Sequence, residues 1–366
     1  MLAAPPSILL AIAPVAQTAP AAPPPPAPAV KGKAAAKPAP PPTTGPQAAK
    51  AALDRATAQM NQGAYDQAQR EYAAAAAADP GNSEARAGVI AARALGKLQA
   101  GQVQAAVDDL NASIALQALP EAYEALGRIY AANGTRGAAV DSFNEAIRLR
   151  PNYAQAYFGR AEARRERAAP LRDMTELQQA ADDYKAVLVV KPDLPEALYG
   201  LGVTRFLLND YAAAVESFDG VLRVRPMFAD AKYARARARF ELTQYQEALK
   251  DIVDLPATFD AYARGCSAGM AFFALGDAAL VARDESRAIE LFNLSSRAFD
   301  GGLAARPDDP RIKFWAQVSR QNANPGPPGT ASRAKERLIM QFTPGKRRPA
   351  PAPTATLVHA DACRRT

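Results

Sequence analysis

Polar and apolar positions between residues 47 and 321 repeat with the period of amphipathic helices. In the stretch that starts at Tyr123, apolar side chains recur at i, i+3 and i+7 on one helical face: Tyr123, Leu126 and Tyr130. Gly134 is expected to end this helix, because glycine takes a positive φ without strain. Phe143 then faces the same core from a second helix, which Pro151 ends because proline has no N–H to donate. The pattern predicts a pair of helices with one apolar side left open.

A small residue that opens each predicted second helix recurs along the chain. These residues are Ala68, Ala106, Ala139, Ala180, Ala214, Ala248 and Ser295. Their intervals are 38, 33, 41, 34, 34 and 47 residues, so two of the seven pairs are longer than the rest. We expect the extra residues to add turns to both helices of those pairs. Because a single pair cannot bury its open side, the pairs must stack on one another.

The motif of these units resembles the tetratricopeptide repeat. The residues that carry the resemblance are Tyr123-x-x-Leu126-Gly127-x-x-Tyr130, Ala139-x-x-x-Phe143 and Pro151. It implies an all-α, right-handed α-solenoid of about seven helix hairpins over residues 47–321, with a capping helix after Pro310 that turns Ile312, Phe314 or Trp315 inward. The chain departs from the repeat where arginine replaces a usually apolar residue of the first helix, at Arg55, Arg93, Arg160 and Arg235.

In this family the first helices line a concave groove that holds a peptide or a partner helix. The resemblance therefore implies that one groove-side position, which is aromatic in three consecutive units, contributes to partner binding. The residues at this position are Phe158, Tyr199 and Tyr233. Arginines near these rings could pair with carboxylates of a partner: Arg128, Arg165 and Arg237. Two alternatives stay open, namely that the rings pack against adjacent helices and that the arginines form a solvated, balanced face.

Charge is distributed unevenly along the chain. The formal net charge of +7 contains +6 from residues 322–366 and +3 from residues 1–46, which leaves 7 − 9 = −2 for the body. A body with this balance has no field that would attract a polyanion, so we expect no binding of nucleic acid. The basic, Pro-rich residues 322–366 are predicted to be mostly disordered.

Residues 1–18 contain an apolar run, Ser7 to Ala16, followed by small residues, as in a secretory signal peptide. No Lys or Arg precedes the run, and a disordered cytoplasmic leader is the alternative. Residues 19–46 have the composition of a Pro/Ala-rich linker. We expect a periplasmic or secreted protein without a transmembrane span, since the run is too short to cross a bilayer. Two cysteines, Cys266 and Cys363, allow one disulfide or two thiols.

The sequence offers no catalytic, metal-binding or cofactor-binding motif. Its one histidine is His359, in the basic tail, and it has no phosphate loop, CxxC or HExxH. Carboxylates that are adjacent in sequence, such as Asp182 and Asp183, diverge on a helix. The predicted function is a non-catalytic scaffold or adaptor for another protein or peptide. The alternatives are an envelope component that self-assembles and an enzyme with an unrecognised site.

Overall fold

The computed structural model describes residues 45–324, and within that range the chain forms fifteen α-helices and no strand. Seven helix pairs and a final single helix follow one another: α1 (Pro46–Asn61) and α2 (Tyr65–Ala78); α3 (Ser83–Gln99) and α4 (Val103–Leu116); α5 (Pro120–Ala132) and α6 (Arg136–Leu149); α7 (Ala154–Leu171) and α8 (Met174–Val190); α9 (Pro195–Leu207) and α10 (Tyr211–Val224); α11 (Ala229–Glu241) and α12 (Tyr245–Val253); α13 (Ala261–Val281) and α14 (Glu285–Ala305); and α15 (Pro310–Ala323). The predicted signal segment, and nearly all of the predicted linker and tail, lie outside the described residues. None of the fifteen helices is long and apolar enough to cross a membrane.

The described chain divides into two compact units, residues 45–163 and 164–324, and the division falls inside α7. In the first unit, each helix from α1 to α6 packs against its neighbours in sequence. In the second unit, the helices from α8 to α15 do the same. First helices of adjacent pairs also touch, α3 with α5 and α9 with α11. The fold is therefore an all-α solenoid of helical hairpins, as the repeat spacing predicts.

Large side chains of the second helices pack against glycines of the first helices. Phe143 is fully buried between Gly127 of α5 and Gly159 of α7, which lie sixteen residues before and after it. A Cβ at either glycine would come within 2.7 or 2.4 Å of the ring. The same small-against-large contact recurs in other pairs: Gly88 with Tyr72, Gly200 with Tyr184, Gly202 with Phe218, and Gly276 with Phe292. Because these contacts require close approach of two helices, they set the hairpin geometry.

The arginines that depart from the repeat motif pair across their own hairpin. Three of them reach a carboxylate sixteen residues later: Arg55 to Glu71 at 2.9 Å, Arg93 to Asp109 at 2.8 Å and Arg235 to Asp251 at 2.9 Å. Arg160 instead donates to the Asn144 side chain, sixteen residues earlier, at 2.7 Å. An ion pair or hydrogen bond thus stands where the repeat usually has an apolar contact, and the fold is unchanged.

Turns between the paired helices use the left-handed region of backbone space. Gly63, Gly101 and Gly134 have φ between 75° and 77°, which confirms the expectation for Gly134. The last four pairs put other residues there, with φ between 52° and 62°: Arg172, Asn209, Thr243 and Arg283. The long intervals correspond to longer helices, with 18 and 17 residues in α7 and α8 and 21 in each of α13 and α14.

The last helix, α15, closes the second unit. Asp309 caps it by accepting from the backbone N–H groups of Arg311 and Ile312, and a proline stands in its first turn. Ile312 is fully buried, and the Trp315 ring lies 5.2 Å from the Phe273 ring. The expected capping helix is confirmed. Cys266 is buried in α13, whereas Cys363 lies outside the described residues.

Candidate partner-binding site

The three aromatic residues predicted to line the groove differ in exposure. Phe158 is half-buried on α7, in the 45–163 unit. Tyr199 is half-buried on α9, and its ring lies 5.4 Å from the ring of Phe228. Tyr233 is only 7% exposed on α11 and packs against Phe259 with the ring centres 5.2 Å apart. Packing against neighbouring segments therefore accounts for the Tyr233 ring, and partner binding by the three rings stays a prediction.

The three predicted arginines also differ in what they contact. Arg128 pairs with Glu124 on the same helix at 3.7 Å. The Arg165 Nε donates to the Tyr184 hydroxyl at 3.3 Å. The Arg237 guanidinium instead lies over the Phe206 ring, 4.8 Å from its centre. Within residues 45–324, Arg237 has neither a carboxylate within 4.0 Å nor a hydrogen-bond partner for its side chain.

The contrast between Arg237 and arginines that have a carboxylate partner is clearest within α11, which carries three further cations on one side. Lys232 reaches Asp254, and Arg235 and Arg239 share Asp251, which is 5% exposed. The Arg239 Nη1 lies 2.8 Å from an Asp251 oxygen. These three charges are balanced inside the protein, so they hold α11 against α12 and the segment that follows it. Arg237 is the one cation of α11 whose charge no carboxylate of the described chain balances at ion-pair distance.

One aromatic ring contacts Arg237, and Tyr211 and Glu241 lie close enough for its charge to affect their pKa values. Phe206, near the end of α9, meets Tyr211 at the start of α10 edge to face, with ring centres 5.3 Å apart. Glu241 follows Arg237 by one helical turn, and both are half-buried. We call Phe206, Tyr211, Arg237 and Glu241 the Arg237 site. All four belong to the 164–324 unit.

The electrostatics of the Arg237 site follow from partial burial. Burial raises the pKa of Glu241 to about 6, although the positive charge of Arg237 acts in the opposite direction. Burial also raises the pKa of the Tyr211 hydroxyl; the Glu241 charge adds to this shift, and Arg237 and Arg172 oppose it. A carboxylate with so high a pKa is poorly stabilised by its surroundings. Within residues 45–324, Arg237 and Glu241 form neither a hydrogen bond nor an ion pair with each other, so no direct contact offsets the burial of Glu241.

A second ionic cluster lies in the 45–163 unit, on α5. Glu121 is buried and pairs with Arg150, while Glu124 is buried beside Arg128. Burial raises the pKa of Glu124, which the positive charge of Arg128 opposes. Each carboxylate in this cluster has an arginine partner, so the cluster is internally balanced. Among residues 45–324 no group of three or more His, Cys, Asp or Glu side chains could hold a metal ion.

Sequence reasoning identified Arg237 but missed the other three members of its site. A comparison of successive repeats could have identified these three residues from the sequence. Phe206 and Tyr211 recur 34 residues later as Phe240 and Tyr245, whose rings also meet edge to face. By the same offset, Arg237 and Glu241 replace two aliphatic residues of the preceding unit, Val203 and Leu207. Relative to the preceding unit, the charged pair is therefore new in α11.

The stacked hairpins define the class of protein, a helical repeat protein of the kind that serves as a protein-interaction scaffold. The tetratricopeptide repeat family model matches residues 91–154, 171–223 and 208–258. The protein therefore carries tetratricopeptide repeats over residues 91–154 and 171–258.

Solved structures that match part of the chain are also tetratricopeptide repeat proteins. One from Parabacteroides merdae has 15% identity and a TM-score of 0.36, and the match covers 75% of this chain and all of that one. One from Cytophaga hutchinsonii has 16% identity and a TM-score of 0.45, over 72% and 98% of the two chains. The tetratricopeptide repeat protein YrrB has 15% identity and a TM-score of 0.42, over 55% and 91%. No curated protein matches the chain.

Proposed function

We propose that this protein is a non-catalytic adaptor that binds a segment of another protein on the first helices of its repeats, with the Arg237 site as one docking point. The observation that carries the proposal is the guanidinium of Arg237, held over Phe206 without a carboxylate at ion-pair distance in residues 45–324. An arginine that is pre-positioned by stacking loses little conformational freedom when it binds. Arginine and aromatic side chains are also the residues that contribute most to binding at protein interfaces.

The compartment that we propose is the bacterial periplasm. Its support is the apolar run of residues 7–16 followed by a Pro/Ala-rich stretch, which has the composition of a spacer. Mass spectrometry of the protein purified from its native cell tests this part separately. A mature chain that begins near residue 18 is expected, and an intact N-terminus would contradict export by cleavage.

Site-specific photocrosslinking in the native cell tests the docking point. A photoreactive phenylalanine analogue at Tyr211 lies beside Arg237, and the same analogue at Glu216 occupies an exposed position on the same helix away from the site. We expect a discrete crosslinked partner from position 211 that position 216 does not give. If position 211 crosslinks only to a second copy of this chain, self-assembly replaces the adaptor function. Identical patterns from the two positions would remove the docking point.

A further inference from the structure

The charges around Arg237 indicate what kind of group a partner brings to the site. Outside the site, the cations of α11 are balanced by aspartates, whereas Arg237 leaves its guanidinium N–H groups without a protein acceptor in the described residues. Arg172, at the turn between α7 and α8, adds a second positive charge near Tyr211 and is exposed. A planar guanidinium with free N–H groups binds carboxylates with two parallel hydrogen bonds. The positive charges and the free donors of the guanidinium thus fit an anionic oxygen pair.

We propose that the Arg237 site binds a carboxylate of the partner segment and that Glu241 acts as an internal competitor for the same guanidinium. The proposal rests on the proposed function, since it names the chemistry of the segment that docks there. Glu241 is half-buried, one turn from Arg237, and makes no hydrogen bond or ion pair within residues 45–324. An ionised Glu241 partly neutralises Arg237 and repels an incoming carboxylate.

The competitor makes binding depend on pH. The groups that act on Glu241 and its surroundings are Arg237 on the same helix, Tyr211 on α10 and Arg172 at the α7–α8 turn. As the pH falls from 7.5 to 5.5, Glu241 takes up a proton near pH 6, while partner carboxylates with pKa values of about 4 stay ionised. Two like charges about 6 Å apart in water weaken binding about threefold. Affinity for an acidic segment should therefore rise about two- to threefold at the lower pH.

Selection from a phage-displayed library of random linear dodecapeptides provides the probe, with the full chain as target. Peptides are selected at pH 5.5 and depleted on the Arg237→Gln variant, so that the survivors require the guanidinium. The best peptide is then synthesised with a free and with an amidated C-terminus, and with its acidic residues replaced by their amides. These forms separate a side-chain carboxylate from the terminal one. Binding is measured by fluorescence anisotropy.

The expected result is that surviving peptides carry a carboxylate whose removal weakens binding about tenfold, as does Arg237→Gln. Arg223→Gln, an equal change of charge at an exposed position on α10, should leave binding unchanged. Glu241→Gln should bind about threefold more tightly at pH 7.5 and should lose the dependence on pH between 5.5 and 7.5. Circular dichroism of each variant confirms that the helices are intact.

The contrary results separate the two proposals. Peptides that need Arg237 but carry no essential carboxylate would overturn this inference and leave the adaptor function standing. Unchanged or weaker binding by Glu241→Gln would overturn the role of Glu241 as a competitor. A selection in which no peptide distinguishes the wild-type chain from Arg237→Gln would overturn both the carboxylate site and the docking point.

Discussion

Substitution of Gly159 by alanine tests whether the glycine–aromatic contacts set the hairpin geometry. The new Cβ would lie 2.4 Å from one atom of the Phe143 ring and within 3.0 Å of two more. The ring cannot move away, because Gly127 of α5 meets its other side and a Cβ there would come within 2.7 Å. Phe143 is fully buried, so its other rotamers would have to displace packed neighbours.

Two effects of opposite sign decide the outcome. Alanine in a helix interior is favoured over glycine by about 0.5–1 kcal/mol. Forcing extra atoms into a packed core costs about 1–3 kcal/mol. At a separation of 2.4 Å the second effect should be the larger, so we expect Gly159→Ala to lower the free energy of unfolding by about 0.5–2 kcal/mol. Gly96→Ala is the matched control on α3, where a Cβ meets nothing within 4 Å, and it should stabilise the protein by about 0.5–1 kcal/mol.

Urea denaturation followed by circular dichroism gives the midpoints. Because repeat arrays can unfold in parts, hydrogen exchange of the α5 and α6 amides should accompany it. The exchange should accelerate in Gly159→Ala and not in Gly96→Ala. Adding Phe143→Leu, which shortens the obstructing side chain, should cost less in the Gly159→Ala background than in the wild type. If Gly159→Ala were as stable as Gly96→Ala, the argument from close approach would be refuted.

Two further predictions concern ionised side chains. Asp251→Ala should destabilise the protein by about 2–4 kcal/mol, because it leaves both Arg235 and Arg239 without their shared carboxylate. Glu71→Ala, which breaks an exposed pair, is the control and should cost below about 1 kcal/mol. Thermal unfolding of the two variants and the wild type measures both costs. Asp309→Ala should cost about 1–2 kcal/mol at pH 7 through loss of the α15 cap. Hydrogen bonds from Arg311 hold the pKa of Asp309 well below its usual range, so this stabilisation is present above the unfolded-state pKa of about 3.9 and is lost as the pH falls below it. The difference between wild type and Asp309→Ala should therefore shrink between pH 5 and pH 2, and a constant difference would contradict the assignment.

The fold could be predicted because its determinants are local and periodic. Small residues at Ala139, Ala180 and Ala214, and aromatic residues four positions later, mark helices that must face each other at a fixed offset. The structure adds that glycines lie sixteen residues from the aromatic side chains, on the first helices. It also explains the arginines that break the motif, since Arg93 and Arg235 find carboxylates sixteen residues later. A search for charge pairs at that offset would have recovered these contacts.

The site was predictable only in part, because side-chain exposure depends on segments that leave the repeat. Tyr233 is covered by Phe259, which lies between α12 and α13, and α12 is only nine residues long. The repeat spacing locates Ala248 correctly on α12 but does not show that this helix ends early. The pattern therefore could not distinguish the covered Tyr233 from the half-buried Tyr199.

Charge balance within α11 connects stability to the proposed function. Helices that carry several cations are stabilised when each finds a carboxylate, and Arg235 and Arg239 do so through Asp251. Stacking on the Phe206 ring stabilises the half-buried guanidinium of Arg237 without neutralising its charge. Arg237 is the cation of α11 that lacks such a carboxylate within residues 45–324, and burial raises the pKa of the neighbouring Glu241 to about 6. The stacked guanidinium therefore keeps N–H groups that no acceptor within residues 45–324 occupies, and these are the groups that the proposed partner carboxylate would accept from.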